Sequence, residues 1–129
     1  MPSKVNKPTP EQVERFDAFV RHWQEVLNLR DWRIERGQKP EKDAMASVAC
    51  DGGARLAVYR VGHFDATEIN DESLSLTALH ECLHVFLWEL IAIAQDRSAS
   101  PEMLEGAEHR VINVLERVLG ELHGNSSAD

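Results

Sequence analysis

The segment from Leu74 to Ala94 constrains this chain most, because it is almost wholly apolar yet carries His80, Glu81, His84 and Glu89. Four ionisable groups are costly in a bilayer core, so the segment reads as a helix of a soluble domain and not as a membrane span. Leu76, Leu79, Leu83, Phe86, Leu87, Leu90 and Ile91 leave it apolar over most of its circumference. Such a helix is expected in the middle of the domain, capped by Asn70 or Ser73 and continuing through Ile93.

A chain of 129 residues supports one domain spanning 1–129, large enough to bury a core without disulfides. Residues 1–9 and 124–129, rich in Pro, Asn, Ser and Gly, read as flexible tails. The formal charge is -8 and the basic residues are scattered, which excludes the clustered cations that grip a nucleic-acid backbone. Cys50 and Cys82 are too few for a disulfide framework, and Met1 to Pro10 hold no apolar signal core. A cytoplasmic protein with reduced thiols is expected, with neither nucleic acid nor membrane as partner.

Thr9, Pro10 and Gln12 form a helix start with a capping box, and Val13, Phe16, Val20, Trp23 and Leu27 make one apolar stripe of a helix reaching about Leu29. Trp32 and Ile34 then alternate with Arg33 and Glu35, as in a strand, before Gly37 to Pro40 break the chain. Met45 to Cys50 and Ala54 to Val61 are further strands, joined by Asp51-Gly52-Gly53, whose glycines supply the positive φ of a tight turn. Leu56 and Val58 share one face of the last strand. Three antiparallel strands follow, with a short fourth at Ala66 to Ile69. A turn at Ser98 to Pro101 opens a final helix that runs to about Leu122. The fold class is α+β: an N-terminal helix, a small three- to four-stranded antiparallel sheet, a buried helix and a C-terminal helix.

The buried helix contains His80-Glu81-Cys82-Leu83-His84, an HExxH pattern. At about 100° per residue, His80 and His84 lie roughly 40° apart, so both imidazoles reach one metal ion, with Glu81 at their flank. Cys82 points the opposite way and reads as a small buried hydrophobe. With this composition the pattern arises in roughly 3% of shuffled chains. The bland alternative, two hydrogen-bonded core histidines, leaves two imidazoles and a carboxylate seeking partners in an apolar helix, whereas a cation satisfies all three. An open zinc site takes three protein ligands and a water. On the last helix Glu108 occupies a position in the stripe of Leu104, Val111, Ile112, Leu115, Leu119 and Leu122 where a leucine would be expected, which makes it the first candidate for the third ligand. Glu105 and His109 come next, and Asp65, His63, Asp96 and His123 stay open. Two imidazoles and a carboxylate suit one Zn2+ best, with iron or manganese as alternatives.

The motif, set between "LNLRDWRIE" and "GAEHRVINVLERVL" with "TALHECLHVFL" at its centre, resembles the zincin metallopeptidases, and in particular the small metallopeptidase-like proteins of phages and prophages. A more distant likeness is to SprT-like and other minimal gluzincin-type domains. The resemblance implies a minimal zincin-like fold, zinc on His80 and His84, Glu81 as general base, and Glu108 as third ligand. It implies a hydrolase cleaving an amide bond of a peptide or protein substrate by a zinc-activated water. Tyr59, His63 and His109 are candidate oxyanion donors, and an exposed sheet edge is a place for an extended peptide. Two other classes are open: a non-enzymatic, zinc-stabilised binding or regulatory module, and a helical interaction protein that uses the stripe of the first helix.

Overall fold

A computed structural model describes residues 5–126, with side chains described as far as Glu121. Residues 1–4 and 127–129 of the expected tails lie outside the described ones. The order is α1 (Pro10–Val26), β1 (Arg33–Arg36), β2 (Ala46–Asp51), β3 (Leu56–Val61), α2 (Asp71–Gln95) and α3 (Pro101–Ser126). It is an α+β fold with three helices and a three-stranded mixed sheet.

The capping box of α1 is present, with the Thr9 side chain accepting from the Gln12 amide and the Gln12 side chain accepting from the Thr9 amide. The helix stops short of Leu29 because Asn28 takes φ 56°. The Leu29 amide then donates to the Gln24 carbonyl and the Asn28 amide to the Glu25 carbonyl, the paired bonds of a Schellman end with asparagine in the left-handed position. Gln24 Nε2 donates onward to the carbonyls of Leu29 and Trp32, tying the turn to β1. The predicted stripe of α1 is satisfied within the chain. Phe16, Val20 and Leu27 are buried, Trp23 Nε1 donates to Ser75 on α2 at 3.1 Å, and Arg15 binds both carboxylate oxygens of Asp71 at 2.7 Å.

The sheet corrects two expectations. Its order is β1-β3-β2, with β1 parallel to β3 and β2 antiparallel to it, so it is mixed and not antiparallel throughout. Residues 37–45 cross the end of β3, where the Gly37 and Glu41 amides donate to the carbonyls of Tyr59 and Val61 and the Gly62 amide donates to that of Met45. A Cβ on Gly62 would collide with the Ala44 carbonyl, so the crossing passes directly over that residue. The core face of β3 is also shifted by one residue: Ala57, Tyr59 and Val61 are buried, not Leu56 and Val58, and a one-residue slip exchanges the faces of a strand.

The β2–β3 turn needs its glycine for space and not for φ. No described glycine has positive φ, and the left-handed residue is Arg55, φ 52°. Asp51 Oδ1 accepts from the amides of Gly53 and Ala54, while the Trp88 ring lies where a Cβ of Gly52 would be. Residues 66–69 form no strand. That loop instead holds the N-terminal segment: the Asn6 amide donates to the Asp65 carbonyl, the Phe64 amide to the Asn6 carbonyl, and Asn6 Nδ2 to the Thr67 carbonyl, each within 2.8 Å. The expected tail is therefore anchored at Asn6.

Asn70 caps α2, reciprocated by Ser73. Leu74, Ala78, Cys82 and Val85 are buried against α1 and the sheet, but Leu76, Leu87 and Ile91 on the opposite face are exposed. The helix is thus central yet half open, not surrounded. By length and composition alone it could cross a membrane. α3 runs past Leu122 to Ser126 and meets α2 with Ala107 buried, while Ala107, Val111 and Val114 face Phe86 and Leu90 across a cleft of about 750 Å³. Arg110 pairs with Glu89, and Arg117 donates to the Val26 carbonyl at 2.9 Å.

Gly52→Ala forces the Trp88 ring out of its seat. It should lower stability by about 1–3 kcal/mol, the usual cost of overpacking, read as a reduced urea midpoint with an unchanged slope. An unchanged midpoint would show that Trp88 is not held there.

Candidate metal centre

With Leu74, Ala78, Cys82 and Val85 buried, the geometry of a helix turns His80 and His84 to the open face and leaves Glu81 between. The Nε2 atoms of His80 and His84 lie 3.3 Å apart, and the rings meet edge to face with centroids 4.9 Å apart. Two imidazoles bound to one tetrahedral zinc at about 2.0–2.1 Å keep their nitrogens about 3.3–3.4 Å apart, so the pair is already at ligand spacing. A donor oxygen of Glu81 joins them, all three donor atoms lying within 4.8 Å of one another.

Glu81 is 5% exposed, and its Oε2 is buried without a hydrogen-bond partner. Burial pushes its carboxyl above the ordinary range; the two imidazoles pull it down and Glu41 adds a smaller push upward. A buried carboxylate with a free oxygen is costly, and a cation on the adjacent imidazoles removes that cost. On both counts, spacing and the orphaned oxygen, the residues fit a zinc ion.

The centre opens into a cleft of about 500 Å³, walled by Ala46, Ser47, Val48 and Cys50 of β2 and by Trp88 and Ile91 of α2. β2 is an edge strand. Because the Gly62 amide bonds the Met45 carbonyl and hydrogen-bonded pairs alternate in an antiparallel ladder, Ser47, Ala49 and Asp51 face β3. The amides and carbonyls of Ala46, Val48 and Cys50 then point to the open edge. Ser47 Oγ donates to Glu41 Oε2 at 2.5 Å, and Trp88 packs edge-on against Trp32 with centroids 5.9 Å apart. The sequence predicts β2 as a strand and an exposed sheet edge somewhere, but not that β2 is the edge beside the histidines, since pairing partners and edges are set by long-range topology.

The remaining candidates are dispersed. Glu108 is exposed on α3 and outside the donor group, because α3 meets the body through Ala107 and its neighbours, about 100° around the helix. Glu105 and His109 are exposed on α3, 3.6 Å from each other. Tyr59 is not available as an oxyanion donor: its hydroxyl donates to Asp17 Oδ1 at 2.5 Å beneath a separate hollow lined by Arg21 and Arg36. His63 and Asp65 line another hollow beside Lys42 and Asp43. Asp96 accepts from the amide and hydroxyl of Ser98, and the side chain of His123 lies outside the described ones. Cys82 is buried as expected, its Sγ 3.7 Å from the Val20 carbonyl and its thiol pushed up to about 12 by burial, then by Glu81. No protein-family model, curated protein or solved structure matches the chain.

The raised carboxyl of Glu81 has a pH signature in metal-free protein. Below the unfolded value both states are protonated and Glu81 costs nothing; as pH rises, the unfolded state ionises first and the fold is penalised until the folded carboxyl also ionises. Glu81→Gln should therefore gain stability over wild type as pH rises from about 4 toward neutrality, and show no gain at lower pH, by urea unfolding in chelator. A difference independent of pH would remove the buried carboxyl as its source.

Proposed function

We propose that this protein is a zinc-dependent, metallopeptidase-like hydrolase that cleaves an amide bond of a peptide or protein. The 3.3 Å Nε2 separation of His80 and His84, with Glu81 beside it, carries the reading. His80 and His84 hold the ion, and Glu108, ahead of Glu105, is the third ligand that the zincin likeness implies. Zinc, when bound, supplies Lewis acidity, polarising a carbonyl and acidifying water. Glu81 takes the proton of the attacking water and hands it to the leaving amine nitrogen, and its raised affinity for protons suits that exchange. The outward amides and carbonyls of Ala46, Val48 and Cys50 align an extended substrate along β2. Trp88, Val48 and Ile91 give that cleft an apolar wall and reduce its hydration.

Zinc content and peptide hydrolysis test this together. Glu81→Gln should retain one zinc per chain and lose hydrolysis of a fluorogenic peptide library by at least about 100-fold. His84→Ala should lose the zinc. Zinc retained in His84→Ala, or turnover retained in Glu81→Gln, refutes the corresponding role.

A further inference from the structure

Among its described side chains α3 buries only the small Ala107, and beside it lies the cleft of about 750 Å³, bounded by α2, α3, the Leu27–Trp32 turn and Arg55. Among the described residues it shares no lining side chain with the metal centre. Its floor belongs to the core: Leu29, Trp32 and Val85 are buried, and Phe86, Leu90 and Val111 continue the same apolar surface. An apolar floor binds water poorly, and the volume is that of a small-molecule site. The rim carries both signs of charge. Asp31 and Arg55 form one pair, at 2.9 Å, and Glu89 and Arg110 form another. In each pair one Nη2 atom meets one carboxylate oxygen, where a guanidinium is able to make two parallel bonds. All four side chains are solvent-exposed, so the pairs contribute little by themselves and are open to a further partner.

Arg55 adopts φ 52°, a left-handed backbone that glycine, asparagine and aspartate accept more readily than arginine. Its guanidinium lies 5.3 Å from the centre of the Trp32 ring, so this cation stands over the apolar floor. Asn28, φ 56°, borders the same cleft, and sparsely populated backbone conformations gather at ligand sites. We propose that the cleft is a second binding site, separate from the metal centre, which takes a short zwitterionic peptide with large apolar side chains. An uncharged apolar ligand would strip water from the rim and give nothing back. A simple anion would be set against Asp31 and Glu89. A zwitterion meets both signs: its carboxylate takes the second donor edge of Arg55, its ammonium takes a rim carboxylate, and its side chains take the floor. The site does not depend on the zinc chemistry proposed above.

The test is a nuclear magnetic resonance titration of the dipeptide leucyl-phenylalanine into the isotope-labelled full chain, with zinc and with chelator, in a Glu81→Gln background to exclude turnover. A ligand of about twenty non-hydrogen atoms should bind in the millimolar range or tighter, with the same affinity under both conditions. The Trp32 indole and the Ala107 and Val111 amides should shift, while the Val48 and Ile91 amides stay in place. The N-acetylated dipeptide and the dipeptide amide should each bind about tenfold more weakly, as loss of a charged hydrogen bond requires. Arg55→Gln should weaken the dipeptide equally, and in that variant amidation should cost nothing further, because both changes remove one contact. Absence of shifts at about 10 mM dipeptide overturns the site. Equal binding of the three peptides overturns the assigned ligand class. Shifts centred on Val48 and Ile91, or binding that needs zinc, put the peptide in the metal cleft and overturn the site as well. The hydrolase stands or falls separately, by zinc content and turnover.

Discussion

The seam of Leu74, Ala78, Cys82 and Val85 against α1 and the sheet fixes the rotation of α2 about its own axis, and the chemistry of the centre depends on that rotation. A helix places residues about 100° apart, so seating Cys82 on the Val20 carbonyl obliges His80 and His84 to face out and Glu81 to sit at the boundary. The result is an asymmetric trio, with two solvated imidazoles and one desolvated carboxylate. Desolvation raises the proton affinity of the carboxylate, while the two imidazoles stay exposed with their Nε2 atoms 3.3 Å apart, so one helical turn holds groups in two different environments.

Trp88 links this helix to the sheet. Its ring fills the space left by the missing side chain of Gly52 and braces Trp32, so β2 is held beside the histidines by a contact between a helix and a turn. Asp51 closes that turn through two backbone amides. The crossing of residues 37–45 over the end of β3 places β2 on the outside of the sheet. Had β2 been central, its outward amides would be paired and the cleft would have no free wall.

Local signals in the sequence proved legible where local physics decides. The capping box of α1, the cap of α2 at Asn70, the stripe of Phe16 and Val20, the opposition of Cys82 to the histidine pair and the pairing of His80 with His84 all follow from neighbours within a turn or two. Features set by distant contacts were not legible. The parallel pairing of β1 with β3 depends on where the 37–45 crossing lands. The anchoring of Asn6 depends on a loop about sixty residues away. Glu108 illustrates the same limit: the α3 pattern shows one broad apolar arc, and periodicity alone cannot say which half of it the rest of the chain covers.

The unpaired edge of β2 has a consequence for the behaviour of the protein in concentrated solution. An edge whose outward groups come from Ala46, Val48 and Cys50 carries none of the lysine or proline residues that discourage strand addition between like molecules. A backbone able to align a peptide is equally able to align the β2 of another molecule. The opposing influence is the net charge of -8, which sets copies of the chain against each other at a distance. Colloidal stability is then expected to depend on ionic strength, because screening shortens the reach of that repulsion to about 8 Å at physiological salt while the edge itself remains open.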